Sequence, residues 1–562
     1  MNSKSIFYIL ILVLFTIVKI NGAVVGNITV TDNCDSIYEY YESKDESFIS
    51  CYTNNEVGVR RLKLRLTSEI SNELDFSIFK NLEILQIYFG TIESLPKSIG
   101  QLEKLKELDV GFNELTSIPE EIGNLKNLEK LIVSNNNLKS LPASLGNLVN
   151  LNYLEVEENK IAEFPAGILN LSKLEILNFN MNKITTFPDT IGNLKLTELQ
   201  LADNSIEQIP DEIGNLKNLK ILFMPRNHLT SIPSTIGNLK KLEQLNVENN
   251  KITAIPNSMG RLKNLISLSF KNNQLTSLPK DIGNLKNLEA LDISGNQLTA
   301  LPDSIVNLRK LKILDGQYNK IAKLPTNIGR LSSLEKLKLN NNQIEELPKS
   351  IGKLHLNNLE FDENRIRVIP EAIGNMSDVM YINLRNNTIS TIPSFLGRIE
   401  NLYTLQLSGN NITTIPSHID NLKNLNVLDL GHNHITTVPE AVGSMMELNQ
   451  IDLSYNQLTK IPTFFANMTD LTTIILNHNL IDDVIPESFN SLYLLTLDLQ
   501  YNINIRGETL TNTHLTTCIY YPPLDGYTYA LCEPANAKCK DRSKKLPACE
   551  VQEEEEEKES KK

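Results

Sequence analysis

His432, Tyr455, His478 and Tyr501 follow one another at intervals of 23 residues, and they are the first place to look for chemistry. Two imidazoles could hold a metal. Zinc, however, needs both ligand nitrogens about 2.1 Å from one ion and usually a third protein ligand. His432 and His478 are two intervals apart, about 10 Å if each interval contributes one β-strand, and no third ligand stands near them in the pattern. They read as surface histidines. Acidic residues recur along the chain in the same way, as Glu155, Glu157, Glu158 and Asp203 show, but their spacing suits a solvated face better than a carboxylate pair working as acid and base. Glycine-rich phosphate loops, nucleophile elbows, H-E-x-x-H and kinase signatures are all missing from the chain. The sequence points to no catalytic residue, no metal and no cofactor, and the expectation is a protein that is not an enzyme.

The 23-residue interval is a property of the whole chain. Leu105, Leu108, Val110, Asn113, Leu115, Ile118 and Pro119 recur as Leu128, Leu131, Val133, Asn136, Leu138, Leu141 and Pro142, and again as Leu151, Leu154, Val156, Asn159, Ile161, Phe164 and Pro165. A fixed period of 20–29 residues is the mark of a solenoid. The asparagine occurs 18 times from Asn113 to Asn502, with two intervals of 22 residues ending at Asn204 and Asn364. The alternating second and third apolar residues suit a half-buried strand. The asparagine is placed to bond backbone groups where the chain leaves that strand. Pro119 and its equivalents disfavour a helix interior, so the return path should be extended or short 3-10 or helical turns. The Ile-Gly that follows, as in Ile122-Gly123, should fill the core and then permit a sharp turn.

The pattern L-x-x-L-x-L-x-x-N-x-L-x-x-[LI]-P, from Leu105 to Pro119, resembles the leucine-rich repeat superfamily over roughly residues 57–505. The L-P-x-x-I-G-x-L-x-x-L variety, seen from Leu95 to Leu105, is most similar to the repeats of Ras-suppressor-type scaffolds and their plant relatives, which are cytosolic. The resemblance implies an α/β fold: a curved solenoid with a continuous parallel sheet on the concave face and short 3-10, helical or extended turns on the convex face. It also implies a recognition scaffold that takes ligands on the concave face.

The ends depart from those cytosolic relatives. Residues 1–23 read as a signal peptide, with Lys4 before a 13-residue apolar run, Ile6–Val18, that is short for a bilayer span. Cys34 and Cys51 precede the repeats, Cys518, Cys532, Cys539 and Cys549 follow them, and none lies between. Even numbers at each end suit disulfides in an oxidising compartment. Cys34 can pair only with Cys51, whereas the last four allow three pairings. The domain reading is therefore a signal peptide (1–23), an N-terminal cysteine cap (24–56), about 20 repeats (57–505), a C-terminal cysteine cap (506–549) and an acidic disordered tail (550–562). The formal net charge is −13, and the tail carries −4 of it. Such a chain lacks the basic footprint of a nucleic-acid binder. No span is expected in the mature chain.

Candidate binding residues are those that project from the sheet. Near the N-terminus they are Tyr88, Phe89, Phe112 and Ile132, an apolar cluster of the hot-spot kind unless the N-terminal cap folds over it. Glu155, Glu157, Glu158 and Asp203 follow as an acidic band suited to a basic partner. His432, Tyr455, His478 and Tyr501 form a ladder at one repeat position and could make binding pH-sensitive. Sequons occur at Asn27, Asn170, Asn375, Asn386, Asn411 and Asn467, no more than chance would place in so Asn-, Ser- and Thr-rich a chain. The expectation is a secreted glycoprotein scaffold binding a protein or glycan partner, with an intracellular small-GTPase or phosphatase scaffold as the alternative and an enzyme with an unrecognised site third.

Overall fold

The structure is a computed structural model, and it describes residues 32–43, 48–53, 58–65, 75–520, 530–533, 537 and 548. The signal-peptide segment, Asn27, Cys539, Cys549 and the acidic tail lie outside the described residues. The described residues form two compact units, one up to residue 161 together with 165–174 and the other of 162–164 together with those from 175 onward.

In the first unit the helix Cys34–Ser43 and the strand Phe48–Thr53 are joined by the Cys34–Cys51 disulfide, as the cysteine count requires. Phe48–Thr53 pairs antiparallel with Val59–Leu64, which opens a parallel sheet running through Ile84–Ile87, Glu107–Asp109, Lys130–Ile132 and Tyr153–Glu155. In the second unit a parallel sheet begins at Ile176–Asn178 and gains one three-residue strand per repeat as far as Thr496–Asp498. Register is unstaggered throughout: Leu108 faces Leu131 and Leu245 faces Leu268. The sheets are open and parallel, and most repeats return through a 3-10 turn directly behind a proline, as at Pro119 before Glu120–Asn124. The α/β leucine-rich-repeat class is thus observed in both units.

The repeated asparagine is the device that makes this possible. Asn136 Nδ2 donates to Val110 O at 3.0 Å, Val133 O at 3.1 Å and Ser134 O at 3.1 Å, while its Oδ1 accepts from Leu115 N at 2.9 Å. One buried side chain thereby satisfies four backbone groups in two repeats, groups whose orphaning would cost about 1–3 kcal/mol each. The same set recurs at Asn250, Asn296 and Asn433. Behind it the leucines stack into a solvent-free core, interrupted by the buried rings of Phe179, Phe270, Phe361, Phe465 and Phe489.

The Ile-Gly glycines act differently from expectation. None of them adopts a left-handed φ. They are small because the next repeat's 3-10 turn presses on them: a Cβ at Gly123 would stand 2.5 Å from Ser144 O, and one at Gly214 would stand 2.6 Å from Thr235 O. Close approach, and not turn geometry, selects glycine.

The 22-residue intervals are absorbed at one place. Leu125, after an ordinary 3-10 turn, has ψ 67°, but Leu194 has ψ 159° and Leu354 has ψ 146°. Opening that leucine to extended backbone spans the gap with one residue fewer. Leu492 does the same with ψ 154°, because its repeat also carries the insertion before Pro486. That insertion forms the strand Asp482–Val484, which pairs with Asn504–Glu508 and then Ala530–Cys532 in a separate three-stranded parallel sheet. The main sheet of the second unit gains a further strand, Thr517–Ile519, beside Thr496–Asp498. Buried Cys518 and Tyr520 there occupy the places of the second and third leucines. Cys518 and Cys532 are both disulfide-bonded.

Candidate functional site: the exposed sheet face

Each repeat's polypeptide leaves its strand through the residue just before the asparagine, and that residue is always left-handed. From Phe89 to Tyr501 the position holds seventeen non-glycine residues with φ between 50° and 57°, plus Gly295 and Gly409. Among the described residues, no other non-glycine has positive φ. The ridge residue's own N–H donates to the next repeat, as Phe112 N does to Ser134 O at 2.9 Å and His432 N to Ser454 O at 2.8 Å. These bonds, with those of the asparagine that follows in the regular repeats, hold large side chains in a region that disfavours them by roughly 1–2 kcal/mol. The left-handed kink lifts the side chain off the sheet, so this column forms a ridge.

His432, Tyr455, His478 and Tyr501 occupy four successive places on that ridge and are stacked. Ring centroids lie 3.9 Å apart for His432–Tyr455 and Tyr455–His478, both at 12°, and 4.1 Å apart at 25° for His478–Tyr501. Such contacts contribute about 0.5–1.5 kcal/mol per pair, which offsets much of the backbone cost. The Tyr455 ring separates the two imidazoles. The ladder stops at Gly409, which has no side chain. Burial pushes the His478 imidazole below the usual histidine range, against the nearby Asp498 carboxylate, which draws it up.

The N-terminal cluster assembles in part. Phe89 is 52% exposed and stacks on Phe112 at 5.1 Å, and Tyr88 is half-buried with Lys63 Nζ 4.9 Å above its ring. Ile132 is half-buried in its strand. Among the described residues the cap leaves Phe89 open; the Arg65 Nε that reaches it donates to its backbone carbonyl at 2.7 Å.

The acidic band is partly bonded within the face. The Glu155 carboxylate is held by the Tyr153 hydroxyl and by Ser134 Oγ at 3.0 Å. Glu157 is half-buried and Glu158 is exposed on the ridge. Asp203 belongs to the second unit and is neutralised by a two-pronged ion pair with Arg226. It offers a basic partner little free charge. Of the sequons, Asn170, Asn375, Asn386, Asn411 and Asn467 are all solvent-exposed, and Asn170, Asn375 and Asn467 each end a 3-10 turn. Asn386 is on the ridge itself, donating to Glu363 Oε1 at 2.5 Å.

A row of residues went unremarked in the sequence: the last residue of each strand, four before the asparagine. In the C-terminal repeats it reads Asp429, Asp452, Ile475, Asp498. Asp429 is buried and bound by Arg385 across the intervening repeat, with Ser408 Oγ donating at 3.0 Å. Asp452 accepts from Ser454 N at 2.9 Å, and burial raises its carboxyl above the usual range. Asp498 accepts from Gln500 N at 3.1 Å and Asn477 Nδ2 at 2.6 Å. The signal was available, since acid recurs at one repeat position. Among the described residues no group of three or more His, Cys, Asp or Glu side chains could hold a metal ion, and no helix is long and apolar enough to cross a membrane.

Leucine-rich-repeat family profiles match residues 80–138, 103–161 and 400–458 (leucine rich repeat), 194–273 and 267–342 (leucine-rich repeat region) and 333–354 (leucine rich repeat). With the asparagine ladder and the open parallel sheets, they show that the chain belongs to the leucine-rich repeat superfamily. Similar solved structures include the ectodomain of the Arabidopsis thaliana membrane receptor kinase GASSHO1/SCHENGEN3 in complex with CASPARIAN STRIP INTEGRITY FACTOR 2 (28% identity, 84% of this chain and 63% of that one, TM-score 0.61). Another is the Arabidopsis receptor kinase HAESA in complex with the peptide hormone IDA and the co-receptor SERK1 (26% identity, 86% and 88% coverage, TM-score 0.60). A third is a TDR receptor (26% identity, 82% and 92% coverage, TM-score 0.61). None of the curated proteins matches this chain in sequence.

Proposed function

We propose that this chain is an extracellular, non-enzymatic recognition scaffold that binds a protein or glycan ligand on its exposed sheet face. The observation that carries the reading is the left-handed ridge, which keeps large rings at His432, Tyr455, His478 and Tyr501 where they serve no core. Rigid rings presented in a row suit recognition, since they give contact area at small entropic cost. The likeness to HAESA, solved with a peptide hormone, favours a peptide or protein over a glycan. The Cys34–Cys51 disulfide favours an oxidising compartment. On this reading residues 1–23 are a cleaved leader, the cysteine segments 24–56 and 506–549 cap the repeats of 57–505, and the exposed sequons are open to glycosylation.

The test has two arms. The chain, expressed with its own N-terminus in a secreting eukaryotic cell, is expected in the medium, faster on non-reduced than reduced gels and shifted by glycan removal. A full-length cytosolic product with free thiols would overturn the extracellular reading. Ligand capture is then compared between Phe89→Ser/Phe112→Ser and His432→Ala/Tyr455→Ala. At least one pair should lose binding; full binding by both would overturn recognition at these ridge residues.

A further inference from the structure

The strip between the His432–Tyr501 ladder and the aspartate row has a chemistry of its own. The ladder forms one wall. Inside it the next column runs Gly431 and Ser454, both buried, then Asn477 and Gln500, both half-buried, a shallow trough with the strand-end aspartates along its floor. Over the strands Thr404–Gln406 to Thr496–Asp498 the sheet face carries acid but neither lysine nor arginine; residues 386–505 contain only Arg398, Lys423 and Lys460, none of them in a strand. Asp429 has its cation in Arg385. Asp452 and Asp498 are bonded by neutral donors, and no lysine or arginine among the described residues pairs with either. Two half-buried carboxylates beside a wall of rings fit a cation on a long apolar stem, since such a stem lies along rings while its head meets the acid.

The spacing narrows the ligand. Asp452 and Asp498 end strands separated by one other, Thr473–Ile475. Two strand spacings come to about 9.6 Å. A peptide crossing the strands in polyproline-II form repeats its side-chain direction every third residue, about 9.3 Å. In a β-strand, same-side residues recur at about 6.7 Å and then about 13 Å, and neither fits.

We propose that this trough binds an extended basic peptide segment whose arginines or lysines stand three residues apart, one over Asp452 and one over Asp498, with Ile475 beneath the residues between. The proposal rests on the recognition reading above and names the partner's chemistry at one part of the face. The fold tolerates the deciding variants. Asn246 already fills this strand-end position in another repeat, its Oδ1 accepting from Glu248 N at 2.9 Å as Asp452 accepts from Ser454 N. Asp452→Asn and Asp498→Asn therefore remove charge without removing the turn.

Fluorescence anisotropy on the full chain would use labelled proline-rich peptides with arginines at i and i+3, arginines adjacent, or glutamates instead. The i, i+3 peptide is expected to bind best, and Asp452→Asn/Asp498→Asn should weaken it at least about tenfold, or 1.4 kcal/mol. Equal binding of all three peptides, or unchanged affinity in the double variant, would overturn the proposal. If Phe89→Ser/Phe112→Ser abolishes binding and Asp452→Asn/Asp498→Asn does not, recognition by the sheet face stands and its assignment to this trough falls.

Discussion

His432 and Tyr455 stack face to face at 3.9 Å although each sits at a φ near +50°. The backbone term is unfavourable for both, and the stack is what makes the pair tolerable. This separates ridge residues with a neighbour to lean on from those without.

Glycine substitutions should expose that difference. Glu158, exposed at φ 55°, has no ring to stack on, so Glu158→Gly should stabilise the chain by up to about 1 kcal/mol. Tyr455→Gly relieves the same strain but loses two stacks, and should be neutral to destabilising by about 1–2 kcal/mol. Urea unfolding of both variants checks the sign; stabilisation by both would mean the stacks contribute nothing.

Asn136→Ala leaves Val110 O, Val133 O, Ser134 O and Leu115 N without their partner. A loss of about 3 kcal/mol or more is expected, against about 1 kcal/mol for Asn135→Ala next door on the ridge, which gives up only asparagine's tolerance of left-handed φ. Hydrogen exchange at Leu115 N would localise the damage.

Gly123→Ala drives a Cβ against the Ser144 carbonyl and should cost about 1–3 kcal/mol. At Gly316 the nearest atom is the end of the Leu339 side chain, 3.0 Å away, which can swing aside. Gly316→Ala should be milder by thermal melting. The reverse order would refute close approach as the reason for the Ile-Gly glycine.

Asp452 supplies a pH test. Burial lifts its carboxyl above the ordinary 3.8, so the protonated form is favoured in the folded state. Its ionisation therefore lowers stability as pH rises through the folded value, and the penalty is absent below 3.8. Asp452→Asn should be more stable than the parent at pH 7, and the two should converge by pH 3.5. A gap that persists unchanged at pH 3.5 would contradict the burial argument.

The parts legible in the sequence are those in which one residue does one job in every repeat. Leucines, the asparagine and the proline announce strands, turn and 3-10 return because the chemistry repeats with the letters. The left-handed ridge was hidden, since Phe89, Glu158 and Tyr455 are poor signals for positive φ; the cue lay in the Asn135, Asp203, Asn249, Asn272, Gly295 and Gly409 that share their column. The glycine's role and the Asp203–Arg226 pair depend on contacts between repeats that spacing alone does not show. The strand Thr517–Ile519 was masked because a cysteine and a tyrosine stand where leucines belong. Tyr88, Phe89, Phe112 and the His-Tyr column were readable as projecting residues, whereas the stacking of their rings was not.

Leu194, Leu354 and Leu492 show what the repeat does with a missing residue: one ψ opens, and the strands on either side stay paired, in full around Leu194 and Leu492 and through Lys338–Glu360 around Leu354. Length changes on that flank are therefore silent to the ridge and the strand-end row. Insertions and deletions can accumulate behind the sheet without scrambling what is displayed in front of it, so the two sides of the same 23 letters are free to drift at different speeds.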